Sequence, residues 1–126
     1  MRTRQEVIDF CLSLDDTYED YPFHDFNWTV MRHKGNKKMF AAIYEHMGII
    51  WVNVKCDPNL TYMWRSTYES VVPAYHMNKA SWITAALDGS VPAETIELLL
   101  DVSYELTKPK PRRKAASKKE TDDTEI

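Results

Sequence analysis

The stretch PAYHMNKASWITAALDG, residues 73–89, decides how this 126-residue chain is read. It gathers Tyr, His, Asn, Lys and Trp into a short turn and then passes into a run with strand periodicity. Strand side chains alternate with a period of two, so Ile83, Ala85 and Leu87 fall on one side and Trp82, Thr84 and Ala86 on the other. Residues 49–56 repeat the pattern: Ile50, Val52, Val54 and Cys56 form one apolar face, and Ile49, Trp51, Asn53 and Lys55 stand opposite. Two strands patterned this way belong to a sheet with one face turned to a core and a large aromatic aimed away from it.

The other elements follow outward from these two. Trp28 to His33 reads as a strand, Lys34-Gly35-Asn36 as its turn and Lys37 to Tyr44 as the returning strand, with a second turn at His46-Met47-Gly48. Thr3 and Glu6 make a capping box for a helix from about Arg4 to Leu14, whose Val7, Ile8, Cys11 and Leu14 recur at helical spacing. Asp15 to Asp25, rich in acids and interrupted by Pro22, reads as a loop. Asp57 caps a short helix from about Asn59 to Tyr68, and strands are expected near Ala74 to His76 and Ala80 to Leu87. After the Asp88-Gly89 turn, Pro92 and Glu94 open a last helix with the buried stripe Ile96, Leu99, Leu100, Ser103 and Tyr104. The expected fold is an α+β two-layer sandwich over residues 1–106: an antiparallel sheet of about five strands, with the N- and C-terminal helices on one face. The opposite face is open or lined by the middle helix. Residues 107–126, where Pro, Lys, Arg, Ser and Ala take over, are expected to be a disordered charged tail.

The length suits one domain with a core of its own, and 44% apolar residues suit a globular chain. Cys11 and Cys56 lie in apolar periodic segments without a C-x-x-C partner, which fits free thiols in a reducing compartment. No stretch has the order of a signal peptide or the length of a membrane span, so a cytoplasmic monomer is expected. Residues 1–106 carry nine Lys or Arg against fifteen Asp or Glu. Residues 107–119 carry seven basic residues and no acid, and residues 120–126 carry four acids and no base. An acidic body opposes a nucleic-acid affinity built on phosphate neutralisation, so such contact is left to the tail or to a local basic patch.

Several motifs together resemble the MmcQ/YjbR family of small bacterial proteins: Tyr75-His76-x-Asn78-Lys79-x-x-Trp82, Lys38-Met39-Phe40-Ala41, Val54-Lys55-Cys56 and Trp64-Arg65-Ser66-Thr67-Tyr68. The resemblance covers roughly residues 3–106. It implies a frataxin-like fold and DNA binding through a double-wing arrangement. The chain departs from that pattern at Ala74, where many relatives carry Gly, and at Ala80 and Ser81, where they carry basic or His residues.

On this reading Lys37, Lys38 and Lys79 contact phosphates, while Tyr75, Trp51 and Trp82 supply flat apolar surface. Arg65 and His76 orient the ligand or the turn. The structural alternative is that Leu60, Met63 and Trp64 of the middle helix cover Trp51 and Trp82 as a second small core. A rival function is a protein-interaction domain whose aromatic groove takes a peptide or partner helix, which the acidic body favours. An enzyme acting on a small anionic metabolite at the Tyr75 to Trp82 groove ranks third. No P-loop, G-x-G-x-x-G, G-x-S-x-G or H-E-x-x-H pattern is present, so no catalytic residue, cofactor or metal is assigned. The acidic loop, with Asp15, Asp16, Glu19, Asp20 and Asp25, lacks metal-ligand spacing and reads as solvated.

Overall fold

The capping box forms as the sequence requires: the Thr3 hydroxyl accepts from the Glu6 N–H at 3.1 Å, and the Glu6 carboxylate accepts from the Thr3 N–H at 3.0 Å. It opens α1 (Arg4–Leu12). The computed structural model describes residues 1–74 and 77–110. After α1 come β1 (Thr17–Asp20), β2 (Thr29–His33), β3 (Met39–His46), β4 (Ile49–Lys55), a 3-10 turn at Pro58–Leu60, α2 (Thr61–Thr67), β5 (Val71–Pro73), β6 (Trp82–Ala86) and α3 (Ala93–Thr107). The sheet is antiparallel throughout, in the order β1-β2-β3-β4-β6-β5.

The core lies between the sheet and the helices. Val52 and Val54 of β4, Ile83 and Ala85 of β6, and Met31 and Ile43 of β2 and β3 meet Val7, Ile8 and Cys11 of α1 and Ile96, Leu99 and Leu100 of α3. The expected alternation in β4 and β6 therefore holds, and the two strands pair with Val54 opposite Ile83 and Val52 opposite Ala85. Met47 and Gly48, with φ of 53° and 78°, join β3 to β4 as a two-residue turn whose left-handed backbone matches the twist of the strands.

Four features differ from the sequence reading. The acidic loop contains a strand: β1 pairs with β2 from Thr17↔His33 to Asp20↔Val30. Its Glu19 and Asp20 conceal it in the sequence, yet charge on an edge strand is what keeps such an edge from pairing with other chains. The strand expected near residue 74 is β5, which ends at Pro73, a residue confined to sheet edges because it lacks an N–H. α2 lies on the same side as α1 and α3, since Trp64 and Tyr68 pack against the main core and the Tyr68 hydroxyl is 3.5 Å from that of Thr95 in α3. It does not cover the open face, and Leu60 and Met63 are exposed. Finally, α3 runs through Thr107, which is buried, so the folded part extends past Leu106. The disorder expected of the tail concerns mostly residues 111–126, outside the described residues.

Candidate functional site

The face of the sheet away from the helices carries two clefts that share Trp28. One row of Cα partners crosses all six strands there, Asp20–Val30–Ala42–Asn53–Thr84–Val72. Asn53, Thr84 and Ala42 in this row are buried, so this face is shielded in its middle although α2 does not cover it. The Thr84 hydroxyl donates to the Val52 carbonyl at 3.1 Å. Asn53 is 0% exposed, and neither its Nδ2 nor its Oδ1 has a hydrogen-bond partner among the described residues. An unsatisfied amide at such a depth costs about 1–3 kcal/mol.

Trp28 stands just before β2 and stacks on Tyr44 of β3, with ring centroids 4.4 Å apart and planes at 27°. Phe23 meets Trp28 edge-on at 6.3 Å. The edge-on approach of Phe23 is one that the quadrupoles of aromatic rings favour. On one side of Trp28 is an almost wholly apolar cleft of about 420 Å³ lined by Phe23, Asp25, Trp28, Val30, Met39, Ala42 and Met77. On the other is a cleft of about 620 Å³ whose walls include Trp28, Tyr44, Trp51, Val72 and Thr84. Asn27 fixes the segment that carries Trp28: its Oδ1 accepts from the Glu45 N–H at 2.8 Å and its Nδ2 donates to the Glu45 carbonyl at 2.9 Å, which extends the β2–β3 pairing by a side chain.

The residues singled out in the sequence are distributed over this face and its ends. Trp51 and Trp82 are both half-buried on the open face. Trp82 pairs with Lys55 and Trp51 with Ala86, four residues along β6, so the two rings stem from points about 13 Å apart and do not form one stacking surface. Trp51 belongs to the second cleft. Trp82 is held by Asn78, whose carbonyl accepts from the Trp82 N–H at 2.9 Å and whose Oδ1 accepts from the Ala80 N–H at 2.9 Å. Lys79 is exposed in the same turn. Lys37 and Lys38 are exposed at the β2–β3 turn, which lies at the same end of the sheet as Lys55 and Trp82. Arg65 is apart from all of these on α2, its Nε donating to the Thr61 carbonyl at 3.3 Å. Tyr75 and His76 lie outside the described residues.

Phe23, Trp28 and Tyr44 were missed in the sequence. Trp28 and Tyr44 sit at the ends of predicted strands, and a closer reading of their parity relative to Val30 and Ala42 places both on the open face.

At the basic end, the β2–β3 turn is bound to the end of α3. Asn36 Nδ2 donates to the Thr107 carbonyl at 3.0 Å, and a Cβ added to Gly35 would stand 2.8 Å from Pro109 Cγ. Lys34, Lys37, Lys38 and Lys108 are thereby gathered around one corner, where Lys108 is ion-paired with Glu105 at 2.7 Å and Asp15 and Asp16 stand beside Lys34. Arg32 is engaged elsewhere, in an ion pair with Asp20 at 2.7 Å. Neither thiol suits nucleophilic work: burial pushes Cys11 up to about 12, and burial and then the neighbouring Asp57 raise Cys56. Among the described residues no cluster of three or more His, Cys, Asp or Glu could hold a metal ion, and no helix is long and apolar enough to cross a membrane.

A family model described as YjbR matches residues 12–106. The uncharacterized protein YyaQ of Bacillus subtilis is 31% identical over 119 residues, which span 86% of this chain and all of YyaQ. The uncharacterized protein YjbR of Escherichia coli K12 is 31% identical over 103 residues, 82% of this chain and 85% of its own length. Among solved structures, a Pseudomonas syringae protein has a TM-score of 0.75 at 32% identity, covering 83% of this chain and 98% of that one. A Deinococcus radiodurans protein has a TM-score of 0.77 at 32% identity, covering 84% and 78%.

Proposed function

We propose that this chain, which belongs to the YjbR family, is a non-enzymatic binding domain that holds the backbone of DNA at the basic end of its sheet. The observation that carries this reading is the bond from Asn36 Nδ2 to the Thr107 carbonyl. It sets the β2–β3 turn, with Lys34, Lys37 and Lys38, beside the point where the basic sequence from Lys108 to Lys119 begins. Lys34, Lys37 and Lys38 thus stand together at one corner of an otherwise acidic body, with Asp15 and Asp16 close by and Lys108 paired with Glu105. Local convergence is what phosphate binding needs, because each neutralised phosphate releases condensed counterions. Lys79, at the same end, adds a further cation.

The test is fluorescence anisotropy of labelled DNA against the full chain at several salt concentrations. Replacing Lys37 and Lys38 together by Ala is expected to weaken binding at every salt concentration and to lower the log–log salt slope by about two. An unchanged slope, or no binding at low salt, overturns the reading. A second reading, a protein-interaction domain, draws on the aromatic loop between β1 and β2, where Tyr21, Phe23 and Phe26 are 44%, 53% and 79% exposed. Contiguous apolar exposure of this kind marks interaction surfaces.

A further inference from the structure

We infer that the second open-face cleft is a binding site for a small organic cation of the quaternary ammonium class, held against the aromatic wall of Trp28, Tyr44 and Trp51. The site lies toward the opposite end of the strands from Lys37 and Lys38, so it is separate from the basic end.

Three strands bring the rings together. Tyr44 and Trp51 are Cα partners across the β3–β4 pair, so their side chains rise next to each other on one face. Trp28, just before β2, stacks on Tyr44 with centroids 4.4 Å apart. All three line the cleft of about 620 Å³, and all three are only half-buried, which leaves part of each ring open to a ligand.

Charge decides the occupant. Among the described residues no Lys or Arg lines either open-face cleft, and the acids that do are Asp25 in the first and Glu45 in the second. An anion finds no charged partner in such a wall, whereas a cation is attracted both by the carboxylate and by the negative faces of the rings. The nine basic against fifteen acidic residues of positions 1–106 give the surrounding field the same sign. The first cleft is the poorer site, since its Asp25 carboxylate already accepts from the Asn27 N–H at 2.9 Å.

Hydrogen bonding narrows the class of cation. The polar side chains of the second cleft are engaged within the protein: Asn27 bonds the Glu45 backbone through both Oδ1 and Nδ2, Trp51 Nε1 donates to the His46 carbonyl at 3.4 Å, and the Tyr44 hydroxyl is 3.5 Å from that of Thr84. A primary ammonium or a guanidinium brings several N–H donors that need acceptors beyond one carboxylate. A quaternary ammonium carries its charge without any N–H, so it leaves nothing unsatisfied against this wall.

The test titrates the full chain with choline, with tetramethylammonium and with the uncharged tert-butyl isostere of choline, at constant ionic strength. A pH of 8 is used because it lies above the range in which histidines as a class protonate, and His46 also lines the cleft. Tryptophan fluorescence and the indole N–H resonances are the readouts. Choline is expected to bind about tenfold or more tighter than its isostere, shifting the resonances of Trp28 and Trp51 while that of Trp64, on the helical side, stays in place. Trp51→Leu is expected to remove most of the margin and Trp82→Leu to leave it unchanged. Glu45→Gln, at an exposed position, is expected to weaken choline binding about two- to fivefold, and it carries the test with the resonance shifts if the circular dichroism of Trp51→Leu departs from the parent. Equal affinity for choline and its isostere overturns the inference in favour of a merely apolar cleft. No response to either cation, shifts confined to Trp64 or Trp82, or an unchanged margin in a folded Trp51→Leu also overturn it. Anisotropy of labelled duplex, measured on the same proteins, reports the basic-end reading separately, and neither result depends on the other.

Discussion

Nε2 of His33 lies 2.8 Å from the hydroxyl of Thr107, across 74 positions of sequence. The Thr107 hydroxyl donates to the Ser103 carbonyl at 2.7 Å, so its oxygen is left to accept from an Nε2–H, which suits a neutral imidazole. The His33 ring packs against Phe40 and Tyr104, with centroids 5.1 and 4.7 Å away. One side chain from the first third of the sequence thus fastens the last turn of α3 to β2, beside the basic turn.

Acidification should loosen this fastening. Burial lowers the His33 pKa below its usual 6.5, outweighing the raising influence of the Tyr104 backbone. The unfolded chain then takes up the proton more readily than the folded one, so the stabilisation is present above the usual value and is lost as pH falls through the lowered one. Melting temperature is expected to drop between pH 7.5 and 5.5, and by less in His33→Gln. An equal pH dependence in the two proteins would assign it to other groups.

Thr107→Val keeps the shape of the side chain and removes its hydroxyl. It should cost about 1–2 kcal/mol by urea unfolding, because it leaves the His33 Nε2–H unpaired in a buried place. Thr107→Ser should retain most of the parent's stability. A neutral Thr107→Val would show that the bond to His33 contributes nothing.

Ile83→Ala should cost about 2–5 kcal/mol, from lost burial and the cavity left among Val54, Ile96 and their neighbours. Thr84, on the other face, would be near neutral if that face were solvated. It is buried and bonded to the Val52 carbonyl, so Thr84→Ala should cost about 1 kcal/mol. Thermal melts of both variants test the ranking, and a larger loss at Thr84 would invert the assignment of the faces.

Asn53→Leu should raise stability by about 1–3 kcal/mol, since it replaces a buried amide without partners among the described residues by an apolar group of similar volume. Differential scanning calorimetry reads the outcome. A lower melting temperature would mean that the Asn53 amide is hydrogen-bonded in the folded protein.

Arg4→Ala should cost about 1.5–3 kcal/mol in urea titration. The Arg4 guanidinium bonds the Asn27 and Ile43 carbonyls, the Thr29 hydroxyl and Asn27 Oδ1, so it ties α1 to β2, β3 and the segment carrying Trp28. Arg4→Lys should recover little, because one ammonium cannot span those four acceptors. Recovery by Lys would show that charge alone suffices.

The alternation of Val52 and Val54, and of Ile83 and Ala85, was legible in the sequence because side-chain direction in a strand is a local property. So was the Thr3–Glu6 cap, whose two bonds span three residues. The two-layer α+β fold followed from these local signals and the apolar stripe of α3. Tertiary structure decided everything that depends on non-local pairing. The antiparallel register places Trp51 and Trp82 four residues apart along one strand pair, whereas their alternation alone says only that they share a face. Packing of Trp64 and Tyr68 draws α2 to the helical side and leaves the open face to Phe23, Trp28 and Tyr44. The meeting of His33 and Asn36 with Thr107 links residues more than seventy positions apart, and no spacing rule reaches that far. Local stereochemistry set which elements form, and the burial of their apolar faces against one another set which of their remaining side chains became neighbours.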